Sequence, residues 1–285
     1  MGENVGPRRI AGLSEIAGDY RGLLCDVWGV VHNGVEAHER AVETLRCFRD
    51  GGGRVVLITN APRPARQVRE QLRGLHVADA AYDAIVSSGD VTRNLIAARA
   101  GAAMYHLGPD RDMPVFEGLD FTLVSPERAE FALLTGLFND EVETPDDYRE
   151  LLAELRARDL EVICANPDIV VERGGRHIYC AGALAQGYEA LGGTVVYAGK
   201  PHPPIYEMAL RLFAEASGRP VAKRKILAIG DGIGTDLVGA AAAGLDTLFI
   251  TSGIHADAGN SPARLERLFA DAGVAPRAVL EALVW

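Results

Sequence analysis

The stretch from residue 21 to residue 31, RGLLCDVWGVV, decides the fold. It is an apolar run with the length of a buried β-strand, and the acidic residue Asp26 interrupts it. A segment with helical spacing of its apolar residues follows at residues 36–52 and ends on glycines, which is a helix-stop signal. A second buried strand, RVVLITN, comes next at residues 54–60. Strands that alternate with helices in this way predict a parallel sheet covered by helices on both faces.

The same alternation returns near the end of the chain. Strand-like runs occur at residues 225–232 and 246–253, and helical runs extend from Pro204 to about Ser217 and over residues 235–243. The run TVVYAGK at residues 194–200 precedes them, and we expect it to be a further strand of the same sheet.

The middle of the chain is less regular, although it also mixes strand-like runs with helical ones, including a helix that begins at Pro145. We therefore predict a core domain formed by residues 1–83 and 197–285, with a second domain inserted at residues 84–196. The predicted fold class is α/β, with a doubly wound parallel sheet in the core and an inserted α/β domain.

Polar residues follow each of the apolar strands of the outer blocks. Asp26 follows the first strand, Thr59 and Asn60 end the second, Lys200 ends the third and Asp231 follows the fourth. In a doubly wound sheet the carboxyl ends of parallel strands line one crevice, where ligands bind. We therefore expect these side chains to converge although they are far apart in sequence.

The chemistry of this set points to a metal ion. Asp26, Asp231 and Asp236 bring three negative charges and Lys200 brings one positive charge, so a divalent cation would make the site neutral. Oxygen-only ligands favour Mg²⁺. Taken singly, each residue has a structural alternative: an aspartate after a strand is commonly a turn or a helix cap, and a lysine before a proline is commonly a solvated loop residue.

The ordered motifs together resemble a known family, the haloacid dehalogenase (HAD) superfamily of hydrolases. They are Asp26-x-x-Gly29, Thr59-Asn60, Gly199-Lys200-Pro201 and Gly230-Asp231-Gly-x-x-Thr235-Asp236. The size of the insertion, and Asn166-Pro167-Asp168 within it, resemble subfamily IIA, the 4-nitrophenyl phosphatase and nucleotidase-like branch.

This resemblance implies a Rossmann-like core with an inserted cap domain that supplies substrate specificity. It also implies a Mg²⁺-dependent phosphatase that acts on a small phosphorylated metabolite. Asp26 matches the nucleophile that forms an aspartyl-phosphate. Thr59 and Lys200 match the catalytic pair that holds the phosphate, and we place Asn60 in the same phosphate-binding site.

The predicted metal ligands follow from the same comparison of motifs. Asp26 and Asp231 match metal ligands, and Asp236 matches a supporting carboxylate. The backbone carbonyl of residue 28 matches a further ligand, which does not depend on the Trp28 side chain.

Trp28 departs from the family pattern. The phosphatases carry a second aspartate two residues after the nucleophile, as general acid and base, whereas an indole N–H cannot exchange a proton near neutral pH. We therefore expect a phosphatase biased towards good leaving groups. The alternatives are a catalytically weakened protein that binds a phosphorylated metabolite, or hydrolysis of another bond, which the retained acidic residues disfavour. In structural terms, the alternative for Trp28 is an aromatic plug over the end of the sheet.

Composition bounds the remaining possibilities. The 285 residues include 29 Lys and Arg against 39 Asp and Glu, a formal net charge of −10, which argues against general nucleic-acid binding. No apolar run is long enough for a membrane span. The N-terminal residues have no apolar core of signal-peptide length. Four widely spaced cysteines favour a reducing, cytoplasmic environment. The branch resemblance also implies a homodimer.

Two other fold families are disfavoured by the sequence, and the roles of three further residues remain open. The order of the motifs disfavours a response-regulator receiver domain, and the glycines after residue 229 do not have the dinucleotide-binding spacing. Arg63 either helps to hold an anion or is an exposed arginine at a helix start. Asn166 and Asp168 either face the crevice or form a turn.

Overall fold

The computed structural model describes residues 8–173, 176–254 and 261–285. The chain divides into two compact units. The first unit comprises Met1–Thr59, Arg69–Val86 and Tyr206–Trp285, and the second comprises Asn60–Val68 and Ser87–Ile205.

The described strands and helices are numbered here in chain order. The strands are β1 (Gly22–Asp26), β2 (Arg54–Thr59), β3 (Ala84–Ser87), β4 (Ala103–Leu107), β5 (Thr122–Leu123), β6 (Phe131–Leu134), β7 (Glu161–Cys164), β8 (Val170–Arg173), β9 (Arg176–Tyr179), β10 (Val195–Tyr197), β11 (Ile226–Gly230), β12 (Asp246–Ile250) and β13 (Ala278–Leu280). The α-helices are α1 (Ser14–Ala17), α2 (Glu39–Asp50), α3 (Ala65–Gly74), α4 (Ser88–Ala97), α5 (Arg149–Ala157), α6 (Ala181–Ala190), α7 (Pro203–Ser217), α8 (Val238–Ala242) and α9 (Pro262–Asp271).

The first unit is built on a six-stranded sheet with the order β13-β12-β11-β1-β2-β3. β1 lies at its centre and pairs in parallel with β11 on one side and β2 on the other. All five residues of β1 are buried, which explains why the residues before Asp26 are continuously apolar instead of alternating. This confirms the predicted doubly wound α/β core, and it places Asp26 at the carboxyl end of the central strand.

The second unit has its own five-stranded sheet, with the order β10-β7-β6-β4-β5 and parallel pairing throughout. Both faces of this sheet are covered. Phe131 and Leu133 of β6 pack in a cluster that includes Ile96 of α4. Ala132 and Leu134 pack on the other side, in a cluster that includes residues of α5 and α6. An antiparallel pair, β8 and β9, completes the unit.

One strand lies in a different sheet from the one expected. Residues 195–197 form β10, which pairs with β7 in the second unit and not with the strands of the six-stranded sheet. The expectation that TVVYAGK continues the core sheet is therefore wrong. The cause is α6, whose Leu184 and Tyr188 pack in one cluster with Val162 of β7, so the chain that leaves α6 runs beside β7.

The two compact units have boundaries of their own. β3 begins at residue 84 but belongs to the six-stranded sheet, and residues 60–68 group with the second unit. The predicted division at residues 84 and 196 stays a prediction. In the described ranges, no helix has both the length and the apolar character that crossing a membrane requires.

Candidate active site

Three buried carboxylates of the first unit meet at the carboxyl ends of β1 and β11. Each of Asp26, Asp231 and Asp236 offers an oxygen atom, and these three atoms all lie within 4.8 Å of one another. Buried carboxylates at such distances repel one another and have lost their hydration, and a bound cation offsets both effects. Because every donor is an oxygen, the set fits a hard divalent ion such as Mg²⁺.

Asp26 is the last residue of β1 and is buried. Its Oδ1 accepts a hydrogen bond of 2.7 Å from the backbone N–H of Val27. This bond fixes the orientation of the carboxylate, and hydrogen bonds to a charged acceptor are among the stronger ones.

The carboxylate of Asp231 packs against the backbone of Gly29 and of Gly253, where no larger side chain fits. A Cβ atom on Gly253 would come within 1.8 Å of Asp231 Oδ2, and one on Gly29 within 2.3 Å of the same atom. Gly29 also has a φ of +83°, a conformation that favours glycine for a second reason. The backbone N–H of Ile254 donates to Oδ2 at 2.8 Å. The carboxylate is thus held against backbone on two sides.

Asp236 lies in a π-helical turn, Ile233–Leu237, which precedes α8. Its Oδ2 accepts from the backbone N–H of Gly232 at 3.1 Å, and a Cβ on Gly230 would come within 2.2 Å of its carboxyl carbon. Wide turns of this kind are rare and are frequently found at functional sites. Here the turn, together with the nearby glycines, brings the Asp236 carboxylate back towards the end of β11.

Thr59 is the buried last residue of β2. Asp26 pairs with Ile58 in the parallel register, so Thr59 follows the residue beside the Asp26 backbone. The two residues therefore end neighbouring strands on one edge of the sheet, as predicted from the strand pattern.

The indole of Trp28 packs within the loop that follows β1. Its ring centroid lies 5.0 Å from that of His32, with the planes at 74°. A Cβ on Gly34 would lie within 2.6 Å of the indole ring, and the Gly34 N–H donates to His32 Nδ1 at 2.9 Å. Sequence reasoning missed these contacts, because neither His32 nor Gly34 belongs to a recognisable motif.

In the second unit, Asn60 holds the backbone of Lys200. Asn60 Oδ1 accepts from the Lys200 N–H at 2.7 Å, and Asn60 Nδ2 donates to the Lys200 carbonyl at 3.2 Å. Nδ2 also donates to Asp168 Oδ1 at 2.9 Å. Lys200 is itself buried. The Asn60 amide therefore links the two loops that follow β7 and β10. We refer to Asn60, Asp168 and the Lys200 peptide as the Asn60 clamp.

The predicted site residues thus fall into two groups. Asp26, Thr59, Asp231 and Asp236 are brought together in the first unit, whereas Asn60 and Lys200 are brought together in the second. That Lys200 and Asn60 serve the same phosphate as the aspartates stays a prediction, as does the Trp28 carbonyl as a metal ligand.

Comparison with known proteins agrees with the motif order. A haloacid dehalogenase-like hydrolase family model matches residues 23–122, and a HAD-hydrolase-like model matches residues 197–283. A solved structure, described as a hydrolase of the haloacid dehalogenase-like family from Brucella suis 1330, is 47% identical to this chain. It covers 96% of this chain and 100% of its own, with a TM-score of 0.89. The chain belongs to the haloacid dehalogenase-like hydrolases.

Other known proteins are similar to this haloacid dehalogenase-like hydrolase over most of its chain. The 5'-nucleotidase YutF of Bacillus subtilis is 26% identical over 239 residues, covering 82% of this chain and 88% of its own length. A glycerol phosphate phosphatase from Mycobacterium tuberculosis, solved in complex with magnesium, is 26% identical. The match covers 86% of this chain and 72% of that one, with a TM-score of 0.65.

The matched ranges contain all of the predicted site residues of this haloacid dehalogenase-like hydrolase. They leave out residues 123–196, which belong to the second unit and contain the loop with Asp168.

Proposed function

We propose that this chain is a Mg²⁺-dependent phosphatase that acts on a small phosphorylated metabolite through an aspartyl-phosphate on Asp26. One observation carries the proposal: three buried carboxylates, with oxygen atoms within 4.8 Å of one another, at the carboxyl end of a parallel sheet. Two similar proteins support the substrate class, since one is a 5'-nucleotidase and another is a glycerol phosphate phosphatase solved with magnesium.

In the first step a carboxylate oxygen of Asp26 attacks phosphorus, and the bond from phosphorus to the ester oxygen breaks. The electron pair leaves with that oxygen, which takes a proton from water. In the second step water attacks the phosphorus of the aspartyl-phosphate, which releases inorganic phosphate and restores Asp26. The Thr59 hydroxyl donates to a phosphate oxygen, and the Lys200 ammonium neutralises phosphate charge.

Mg²⁺ would be held by Asp26, Asp231 and the Trp28 carbonyl, with Asp236 in support, and would supply positive charge towards the phosphate oxygens. The Val27 N–H keeps the Asp26 carboxylate in one orientation, which favours attack from a fixed direction. The Ile254 N–H likewise keeps the Asp231 carboxylate in one orientation.

Trp28 determines the proposed substrate preference. A positioned general acid or base contributes about 10²–10⁴ in rate, and an indole supplies neither function. Aryl phosphates, acyl phosphates and anhydrides need little protonation as they leave, so we propose that they are turned over best. Alkyl phosphates are expected to be poor substrates.

The second candidate is a weakly catalytic protein that binds a phosphorylated metabolite. The packing of Trp28 against His32 and Gly34 favours it, because this side chain is committed to the structure of the loop. In that case the metal and phosphate groups would still bind ligand, and turnover would be slow.

The two candidates are separated by assaying 4-nitrophenyl phosphate and a panel of phosphorylated metabolites with and without Mg²⁺. Asp26→Asn is expected to abolish Mg²⁺-dependent turnover, whereas Asp50→Asn, an exposed aspartate at the end of α2, leaves it unchanged. Intact-mass measurement after addition of acetyl phosphate is expected to show one phosphate adduct on the wild type and none on Asp26→Asn. Tight phosphate binding without turnover would support the second candidate.

We further propose a cytoplasmic location and a homodimeric state. The location is supported by the cysteines of the described residues, which are all free thiols. The homodimer is supported only by the analogy with the nucleotidase-like branch, and light scattering of the purified protein measures it directly.

A further inference from the structure

Three side-chain polar atoms of the described residues are buried without a hydrogen-bond partner, and all three belong to the second unit. They are Arg63 Nε, Gln67 Oε1 and Ser88 Oγ. Arg63 is the charged member of this set, and Gln67 lies four residues after it, in the first turn of α3. An unpaired buried polar atom costs free energy, so each such atom requires an explanation.

The backbone of Arg63 is held firmly in place. A Cβ atom on Gly89 would come within 2.6 Å of the Arg63 backbone nitrogen, so the first turn of α4 packs directly on it. The Gly89 N–H donates to the Ala61 carbonyl at 3.1 Å, and the Ala65 N–H donates to Asp90 at 3.1 Å. The orphaned Nε therefore does not result from a loose chain segment.

Other charged side chains surround Arg63. Burial is the main cause of a lowered pKa of its guanidinium; Asp112 opposes this shift, and Arg111 and Arg173 add to it. Burial likewise raises the pKa of Asp112 to about 6, against the opposing effect of Arg63 and Arg111. Arg63 is thus a partly buried cation, with a buried Nε, near two further arginines.

The neighbouring acids are engaged elsewhere. Arg111 and Arg173 both form ion pairs with the buried Asp140. The Thr135 hydroxyl opposes the raised pKa of Asp112, and its Oγ1 lies 2.9 Å from His106 Nε2. Arg63 therefore faces a carboxylate without hydrogen-bonding to it, while both flanking arginines have a partner.

The position of this cluster is that of a ligand site. Arg111 and Asp112 follow β4, and Thr135 follows β6, so they lie beyond the carboxyl ends of adjacent parallel strands. This is the edge at which open α/β sheets bind ligands. A guanidinium fork binds carboxylate or phosphate oxygens in two places. The Gln67 amide, in the first turn of α3, can present its nitrogen to the same anion.

We infer that Arg63 is the centre of an anion-binding subsite in the second unit, which takes a carboxylate or a further phosphate of the substrate. This inference rests on the proposed function and names a substrate class: phosphate monoesters that carry a second anionic group. Arg111 and Arg173 raise the local positive potential, and Arg63 supplies the direct contact.

The test compares substrates in matched pairs that differ only in the second anion. Phenyl phosphate is paired with carboxyphenyl phosphate, and a hexose monophosphate with the corresponding hexose bisphosphate, so that the two pairs distinguish carboxylate from phosphate. In the wild type, kcat/KM is expected to be at least about tenfold higher for the anionic member of one pair. Arg63→Gln is expected to abolish this ratio, and Arg63→Lys to keep part of it, because lysine retains the charge and loses the fork.

Arg66→Gln is the matched control, since Arg66 is exposed and pairs with the exposed Glu117. It is expected to leave the ratio unchanged. Because the buried Nε of Arg63 has no hydrogen-bond partner without ligand, Arg63→Gln is also expected to keep or raise the melting temperature, which a structural arginine would not do.

The proposal is overturned if the wild type shows no preference in either pair, or if Arg63→Gln lowers both members of a pair equally. A fall in melting temperature with an unchanged ratio likewise gives Arg63 a structural role. Hydrolysis of 4-nitrophenyl phosphate reports on the proposed function alone. If the wild type hydrolyses nothing, binding at the subsite is measured without catalysis. Each member of a pair is then compared by the shift in melting temperature that it produces.

Discussion

Exchanging the two side chains of the Asn60 clamp tests whether the Lys200 backbone depends on them. Asn60→Asp replaces a donor by a charged oxygen of nearly the same shape. It removes the bond to Asp168 at 2.9 Å and the bond to the Lys200 carbonyl at 3.2 Å. Only the bond that Asn60 accepts from the Lys200 N–H, at 2.7 Å, can remain.

The magnitude follows from these contacts. Lys200 is 3% exposed, so its carbonyl is not readily rehydrated after the change, whereas Asp168 is half-buried. A hydrogen bond to a charged group contributes about 1.5–3 kcal/mol, and each orphaned buried group costs about 1–3 kcal/mol. We expect Asn60→Asp to lower the free energy of unfolding by about 3 kcal/mol. Asp168→Asn alone keeps an acceptor oxygen for Asn60, so it is expected to cost about 1 kcal/mol.

The double variant restores a bond in reverse, since Asn at position 168 can donate to Asp at position 60. We expect it to recover at least about 1 kcal/mol relative to the sum of the single variants. Recovery stays partial, because the aspartate cannot donate to the Lys200 carbonyl. Urea unfolding gives the stability of the wild type, the two single variants and the double variant. Measurements of kcat and KM for 4-nitrophenyl phosphate show whether catalysis is lost and recovered in the same variants as stability.

Strict additivity in the cycle would refute this reasoning, because it would mean that Asn60 and Asp168 do not interact. A recovery of stability without any recovery of kcat/KM would separate the clamp from the phosphate site, and so would contradict the proposed role of Lys200.

Two further predictions concern Trp28 and Asp112. Trp28→Asp is expected to raise turnover of alkyl phosphates more than that of aryl phosphates, because it restores a proton donor, while it lowers stability by about 1–3 kcal/mol through loss of the contacts to His32 and Gly34. Trp28→Phe is the control without an acid, and an equal effect on both substrate types would contradict the proton argument. Burial raises the pKa of Asp112 from 3.8 to about 6. The protonated carboxyl group therefore contributes its full stability to the folded state below pH 3.8, and this contribution is lost as the pH rises through about 6. Asp112→Asn is therefore expected to raise the melting temperature about two units above that pKa and to change it little about two units below; calorimetry that shows a pH-independent difference would rule this out.

The sequence was sufficient for β1, β2, β11 and β12 of the first unit and for the meeting of its acids, but it did not predict β3 or β13 in the same sheet. A continuous apolar run before Asp26 and another before Asp231 predict buried parallel strands, and the ends of such strands share an edge. The convergence of these carboxylates with Asp236 confirms that expectation.

The remaining features depend on contacts that leave no local signal. TVVY predicts a strand, but the choice of sheet depends on how α6 packs. Asn60 and Asp168 are 108 residues apart, and either one alone is typical of a turn. The Ile254 N–H is a backbone group and so has no sequence signature. The orphaned Nε of Arg63 can be seen only once its neighbours are placed.

The two glycines beside Asp231 impose different restrictions on sequence change. At Gly29 any other residue is disfavoured both by lack of space and by the positive φ angle. Gly253 does not have a positive φ angle and is restricted by lack of space alone. An alanine at Gly253 therefore becomes tolerable if its acidic neighbour moves back, while an alanine at Gly29 stays strained whatever else is altered. Attempts to introduce a bulkier loop beside the metal ligands should therefore begin with substitutions at Gly253 and keep Gly29 unchanged.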